Sequence, residues 1–469
     1  MSDLPKEWEC VSLTDFVYSV PTGVPKFSGN RKYYSTGSID GKEFIPEGEY
    51  SFDNRPSRAN RVAKEGDVFQ ARMQGTDKAL LIHGAMEEQL FSTGFLQLRP
   101  VAETYLSELL FYFLKSDFFL KQRDELATGS TQVALTDASA DNLQLVVPPL
   151  PEQRRIVVKL ERLLHRVDAS KERLDKIPAI LKRFRQSVLA AVCSGRLTKD
   201  WREKNFPHPA LSATLSQRAR ELDCLPLPEG EGRGGGEGLP EGWELIELAN
   251  LCKGFQYGTS TKSQTSGKIP VLRMGNLQNG KIDWTDLVYT SDDKEIEKYR
   301  LNPGDVLFNR TNSPELVGKT SIYRGEKPAI FAGYLIRIKN NPSLDSEYLN
   351  YCLNTTFAKE FCQQVKTDGV SQSNINAQKL GTFPIPLPPL PEQHAIVRRV
   401  EALFKKADDI ETRYKKAKGF VDRLTQSILA KAFRGELVPQ DSNDEPAAAL
   451  LERIRAERGR QEPKKRGRK

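Results

Sequence analysis

Several stretches of this chain carry residue types that could do catalysis, but none has the spacing catalysis needs. Gly275-Asn276-Leu277-Gln278-Asn279-Gly280-Lys281 resembles a phosphate loop. Ile282, however, stands where a hydroxyl would hold magnesium, and Ile282–Tyr289 follows where a helix is required. Val317-Gly318-Lys319-Thr320 fails differently, with Ser313 in place of the first glycine and Ser313-Pro314 opening a turn. Both read as hairpin turns. There is no G-x-G-x-x-G opening a βαβ unit, no H-E-x-x-H, no G-x-S-x-G and no Asn/Asp-Pro-Pro-aromatic run. The cysteines Cys10, Cys193, Cys224, Cys252, Cys352 and Cys362 never take a C-x-x-C spacing, and the four histidines cluster neither with them nor with one another. Reduced thiols packed as small apolar side chains fit this pattern, and neither a zinc site nor a disulfide framework does.

The elements behind these residues are organised by duplication. Pro148–Leu197, beginning PPLPEQRRIVVKLERLL, aligns without a gap on Pro388–Leu437, beginning PPLPEQHAIVRRVEALF, at a shift of 240 residues. Weaker anchors lie upstream. Leu4–Glu9 (LPKEWE) pairs with Leu239–Glu244 (LPEGWE), Glu65–Arg72 with Pro303–Arg310, Thr93–Phe95 with Ala332–Tyr334, and Gly129–Thr136 with Gly369–Asn376. Each copy is therefore a divergent front domain (1–149 and 239–389) followed by a better preserved tail (150–205 and 390–440). The Pro/Gly-rich stretch 206–238 reads as a flexible linker, and 441–469 as a basic tail without stable structure. The front domains mix β-branched and aromatic runs (Lys268–Met274, Val306–Asn309, Tyr334–Ile338) with a helical stretch each (Tyr105–Leu114, Ser346–Phe361). That pattern predicts α+β domains with mostly antiparallel strands.

The tails predict long helices. Apolar residues step by four and three through Ile156, Leu160, Leu163, Val167, Leu174, Ile177, Leu181, Phe184 and Val188, and through Ile396, Val400, Leu403, Ala407, Ile410, Tyr414 and onward to Ile428. A sustained 3.5-residue period means coiled-coil packing, with Ile156, Leu160, Leu163, Val167, Ile396, Val400, Leu403 and Ile410 as the seam. Pro178 should kink or split the first helix, and Gly419 should weaken the second. Packed antiparallel, the two helices would relate the copies by a pseudo-twofold axis, with front domains at opposite ends of a rod. One flank, Lys159, Arg166, Arg173, Arg399, Lys406 and Arg413, is wholly basic and repels itself unless phosphate or an acidic partner helix lies along it. The opposite flank (Val157, Leu164, Val397, Phe404) widens the apolar stripe and predicts further helices from another subunit.

The chain's 469 residues carry a net charge of +8. Counted by region, the tails hold about +8 and +4 and Leu451–Lys469 about +6, while the first front domain is about −6 and the second about +1. No run approaches the roughly 20 apolar residues of a membrane span, and no apolar signal core follows Met1, which predicts a cytoplasmic protein.

Two divergent domains, each ending in PPLPEQ and a long helix that closes on Gln186–Ala190 and Gly195–Leu197, or Gln426–Ala430 and Gly435–Leu437, resemble the specificity subunit of type I DNA restriction–modification enzymes. The Gly66–Arg72 and Gly304–Arg310 strands and the Gln-bearing loops before each proline run fit the same family. The resemblance implies a noncatalytic subunit in which each front domain reads one half of an asymmetric bipartite DNA site. The helices would then set the spacing and dock two modification (methyltransferase) subunits, with restriction/motor subunits joining the complex. S-adenosylmethionine, ATP and magnesium are implied on those partners and no cofactor or metal on this chain; no membrane is involved. Base reading calls for Arg, Gln and Asn on loops, because these make bidentate contacts to guanine and adenine. The candidates are Arg72, Gln74, Thr131 and Gln132 in the first domain and Arg310, Asn312, Gln372 and Asn374 in the second. Residues shared by domains that read different sequences could instead fix the loop or hold phosphate. Two other readings stay open: a coiled-coil scaffold with paired protein- or RNA-binding domains, and a self-sufficient nuclease.

Overall fold

A computed structural model describes residues 4–40, 43–129, 133–205, 239–370 and 372–461. The linker 206–238, the candidates Thr131 and Gln132, and the KKRGRK end lie outside them. The helices that matter for the site are α1 (Ser107–Leu114), α2 (Leu150–Asp175), α3 (Ile177–Cys193), α4 (Ser346–Leu353), α5 (Leu390–Ala432) and α6 (Ala447–Gln461).

The compact units do not follow the sequence repeat. One comprises Met1–Asp175 with Lys415–Lys469, the other Lys176–Tyr414. Each unit therefore takes a front domain, the first half of the helix that follows it, and the second half of the other copy's helix. The first tail divides at Lys176, immediately before Ile177-Pro178, where proline cannot supply the amide that an unbroken helix would use. The second tail runs unbroken through Gly419. Glycine costs a helix about 1 kcal/mol there but removes no hydrogen bond.

In the first unit the central sheet has the order Val17–Ser19, Phe95–Pro100, Val68–Ala71, Ala79–Leu81, all antiparallel. A second four-stranded sheet orders Gly48–Tyr50, Arg31–Tyr34, Leu90–Ser92, Ala59–Val62, with one parallel pair between Arg31–Tyr34 and Leu90–Ser92. The second unit repeats the central sheet as Cys252–Tyr257, Leu335–Asn340, Val306–Asn309, Thr320–Ile322. Its companion sheet orders Val288–Thr290, Ile269–Leu272, Ile330–Phe331, again with one parallel pair. The domains are α+β with mostly antiparallel strands. In both, a two-stranded ribbon joins the residues after the tryptophan to those before the proline run: Glu9–Ser12 with Gln144–Val147, and Glu244–Glu247 with Pro384–Leu387. The chain thus enters and leaves each domain at one place. The expected turn at Asn279-Gly280 is present, both residues having positive φ between Leu277–Gln278 and Lys281–Ile282. The expected helix Ser346–Phe361 is two helices, because Thr355 caps a new one by accepting from the Ala358 amide.

Within each unit the two helix halves run antiparallel, since residue number falls along one as it rises along the other. In the first unit Lys171 meets Thr425 and Asp175 meets Lys418. In the second Arg185 donates to Asp408 and Glu411 at 2.8 Å each. Ile156, Leu160 and Val167 are buried in a cluster with Ile428, Leu429, Ala432 and Phe433. Ile396 and Val400 are buried with Val188, Leu189 and Val192, and Leu163 and Leu403 pack at the edges of their clusters. Ile410, placed in the seam from its spacing, is 48% exposed. The wide apolar flank is not left for another subunit. Val157 is buried and Leu164 packs against the same cluster, which includes α1 residues Leu109, Leu110 and Phe113. Phe404 meets the Tyr351 ring of α4 edge-on, with centroids 5.9 Å apart. The stripe is wide because each helix half serves two neighbours, a partner helix and its own front domain.

The segment after Gln440 is also more structured than its composition suggests. Ala447, Leu450, Leu451 and Ile454 of α6 are buried in the first unit's core, the Ala447 amide donates to the Glu7 carbonyl, and Arg455 pairs with Asp15. Four apolar residues on one face suffice to dock a helix whose other positions carry Glu452, Arg453, Arg455 and Glu457 in water.

Arg399 holds the Asp200 carboxyl down at about 2, against an ordinary 3.8. A depressed acid stabilises the folded state above its ordinary value, and that contribution is lost as pH falls toward the folded value. Asp200→Asn should therefore flatten the stability of the chain between pH 3.8 and about 2, read by urea unfolding; an unchanged slope would show that this pair contributes nothing.

Candidate nucleic-acid interface

The preserved motifs meet at one junction in each unit. In the first, the buried Glu152 carboxylate of PPLPEQ accepts from the Trp8 indole (2.8 Å) and from Gln440 Nε2 (2.8 Å). In the second, Glu392 accepts from the Trp243 indole (3.0 Å), the Thr198 hydroxyl (2.7 Å) and Arg202 (2.5 Å). The neighbouring glutamine ties the helix start to the domain: Gln153 accepts from the Leu106 amide and donates to the Thr104 and Pro148 carbonyls. Gln393 does the same with Asp345, Ser343 and Pro388. Within the preserved segment Gln426–Ala430, Gln426 accepts from the Asp117 amide and donates to the Lys115 carbonyl. Gly195 and Gly435 adopt φ of +67° and +74°, and a Cβ on either would stand 2.3 or 2.2 Å from Cγ of Pro240 or Pro5. Glycine is needed there both for the left-handed backbone and for the close approach of the proline.

This junction fixes the frame on which the loops are carried. The Asp of the G-D-V strand locks the next layer. Asp67 accepts from the Lys64 amide, Gln97 Nε2 and Arg99, and Asp305 from the Asn302 amide and Arg337. The arginine ending that strand has equivalent backbone bonds in both domains. The Arg72 amide donates to Gly94 O and its carbonyl accepts from Leu135; Arg310 does so with Tyr334 and Ile375. Gly94 is thus the counterpart of Tyr334, so the sequence pairing of Thr93–Phe95 with Ala332–Tyr334 is out by one residue. Three-residue anchors are too short to fix a register, and the hydrogen-bond ladder settles it.

The candidate residues collect around these arginines. In the first domain Gln74 is exposed, and its amide donates to Val133 O beside the Met73–Ala134 bridge. In the second, Thr311–Asn312 pairs with Ser373–Asn374, which pairs with Thr367–Asp368. That small sheet brings Arg310, Asn312 and Asn374 together, with the exposed Gln372 in the turn closed by Gly369 N–H to Gln372 O. Asn374 donates to the Thr311 hydroxyl, and the Asn312 side-chain oxygen accepts from the Ser313 amide. Sequence reasoning missed Tyr257 and Tyr334, 39% and 47% exposed beside Arg310. The signal available in the sequence was weak: a tyrosine ending the strand Cys252–Tyr257, and another, Tyr334, in the A-G-Y anchor. On the helices, Lys159, Arg166, Arg173, Lys406 and Arg413 are exposed and have no carboxylate partner among the described residues. Arg399 differs, donating to Asp200 and Leu197 O. Among the described residues no group of three His, Cys, Asp or Glu is placed to hold a metal, and no helix is long and apolar enough to cross a membrane.

Burial holds the Glu152 carboxyl above its ordinary range, the Trp8 and Gln440 hydrogen bonds offsetting this only in part. A raised acid favours folding at low pH, and its contribution fades as pH rises through its folded value. Glu152→Gln should reduce that pH dependence just above the ordinary glutamate range. The second unit's junction offers a sharper test. Gly195→Ala should cost about 1–2 kcal/mol from left-handed strain, and more from the clash of its Cβ with Pro240. Arg202→Ala should cost about 1.5–3 kcal/mol by removing the cation from a buried carboxylate that keeps its Trp243 and Thr198 donors. Both are read by urea unfolding, and full stability in either variant would remove the junction from its structural role.

Comparison with known proteins gives a consistent result. The family model described as type I restriction modification DNA specificity domain matches twice, at residues 5–179 and 240–418. The chain is 33% identical over 385 residues to the type I restriction enzyme EcoKI specificity subunit of Escherichia coli K12, covering 79% of this chain and 76% of that one. To the EcoDI specificity subunit of Escherichia coli it is 29% identical over 486 residues, covering 99% and 98%. A chain from a structure of the type I R-M system, described for its complex assembly and conformational transition, superposes with a TM-score of 0.70 at 26% identity over 93% of this chain and all of that one. The HsdS subunit from Thermoanaerobacter tengcongensis gives a TM-score of 0.60 at 26% identity, over 92% and 98%.

Proposed function

Because the chain belongs to the family of type I restriction–modification specificity subunits, we propose that it is the DNA sequence-recognition subunit of such a complex, with each front domain reading one half of an asymmetric bipartite site. The chain is a noncatalytic component, as its relatives are. The observation that carries the reading is the same scaffold built twice while the loops on it differ: Gln74 beside the Met73–Ala134 bridge in one unit, and Arg310, Asn312 and Gln372 around a small three-stranded sheet in the other. A frame that repeats while its loops diverge is what two unlike half-sites require. The scaffold and nuclease readings draw no support from the matched families.

The antiparallel helices set the gap between half-sites, and their exposed cations and the solvent-facing Ile410, Ile180 and Phe420 supply a docking surface for modification subunits. Two such subunits, one per copy of the helical motif, complete the assembly, and restriction/motor subunits join through it. S-adenosylmethionine, ATP and magnesium reside on these partners, base flipping is performed by the methylating subunits, and the whole works in the cytoplasm. Gln74, Gln372 and Asn312 contribute base or phosphate contacts, as do Thr131 and Gln132 of the first domain.

Single-molecule methylation sequencing of the host should show one bipartite motif with a fixed gap; two unrelated ungapped motifs would count against the reading. Lengthening both long helices by one heptad should change the gap and leave both half-sites intact. Altered half-sites with an unchanged gap would refute the spacing role.

A further inference from the structure

The two arginines that end the G-D-V strands have the same backbone setting and opposite side-chain fates. Arg72 is spent inside its own domain. Its guanidinium donates to Phe95 O (2.9 Å), Leu135 O (3.2 Å) and the Asp137 carboxylate, leaving the side chain 12% exposed. Arg61, fully buried, donates to Asp137 as well. At the position equivalent to Asp137 the second domain has Ala377, so Arg310 has no acid there. The Arg310 guanidinium lies 4.8 Å from the centre of the Tyr257 ring, and its Nε is buried without a hydrogen-bond partner. Among the described residues no carbonyl or carboxylate takes its N–H groups. Tyr257 is itself fixed, its hydroxyl accepting from the Ala377 amide at 3.0 Å. Position 377 thus offers a backbone amide to the ring and no carboxylate to the guanidinium.

An aromatic face holds a guanidinium in position without consuming its donors, so its bidentate edge stays available. A carboxylate consumes both donors and charge, and a ligand must break that pair before binding. We propose that Arg310, seated on Tyr257 beside Tyr334, is the guanine-reading residue of the second domain, and that Arg72 is a positioning residue that holds the first domain's loops. This inference rests on the half-site reading above and deepens it. The first domain must read its half-site through other groups, while the second carries a charged reader on a domain of almost neutral net charge. Position in the repeat therefore does not predict role.

The experiment uses the complete complex with its modification subunits and a library of duplexes randomised across both half-sites. Arg310→Lys and Arg310→Ala should each cut discrimination at one guanine of one half-site by about tenfold or more, leaving the other half-site intact. Arg310→Lys keeps the charge and the packed stem, so a folding defect cannot stand in for lost bidentate contact. Arg72→Ala should lower the unfolding midpoint and leave the motif unchanged. Wild-type discrimination in Arg310→Lys, or an equal loss of affinity for every duplex, would overturn the assignment, as would a changed motif in Arg72→Ala. A wild-type complex with no duplex preference would overturn the half-site reading itself, before any variant is made.

Discussion

A carboxylate taken out of water must be met by donors, and the whole molecule is arranged around two such groups. Glu152 and Glu392 sit at the first turn of the long helices, and each receives the indole N–H of the tryptophan that opens its front domain. The third partner comes from the other copy of the repeat, Gln440 in one unit and Thr198 with Arg202 in the other. Meeting the charge therefore joins the start of a domain, its end and the far end of the opposite helix in one step. The surrounding glutamines and the left-handed glycines are consequences of that convergence: each serves the backbone groups exposed where three chain segments cross. The two junctions are not chemically equal. One carboxylate is met by neutral donors, the other also by a cation, and burial holds the first above its ordinary titration range.

Much of this was legible in the sequence because it is local or repeated. The duplication, the heptad period and the break at Pro178 follow from residue spacing, and so does the Asn279-Gly280 turn. What was not legible depended on partners distant along the chain. Val157 and Phe404 read as surplus apolar surface, because a period counts faces without revealing that one helix half packs on two bodies. Ile410 shows the converse, a seam position with nothing over it. The helix Ala447–Gln461 was hidden by the charge around it, since four buried side chains are a small fraction of a basic segment. The recognition loops were found only as a neighbourhood. Asp137 and Ala377 occupy the same place in the repeat and decide the fate of the arginine opposite, yet neither belongs to a motif.

The electrostatics divide along the same line. Some cations of the helices are neutralised within the unit, Arg185 by Asp408 and Glu411, Arg399 by Asp200, Arg155 by Asp444. Those along Lys159, Arg166, Arg173, Lys406 and Arg413 are left in water. An exposed like-charged row contributes nothing to the fold of one chain and is mildly unfavourable to it. Its persistence over several turns fits a surface whose balance is completed by other molecules.

The two-stranded ribbon that opens and closes each front domain has an implication for inheritance. The most divergent part of each copy lies between a tryptophan and a proline run, while the buried carboxylate and its donors lie outside that interval or at its edges. The two PPLPEQ stretches, Pro148–Gln153 and Pro388–Gln393, are identical in amino-acid sequence. A crossover there, or at the matching tryptophan segment, would trade one front domain for another and leave each carboxylate with its donors. The chain is in effect a pair of sockets. New specificity can arrive as a cassette, in one genetic event, without any residue of the frame having to change.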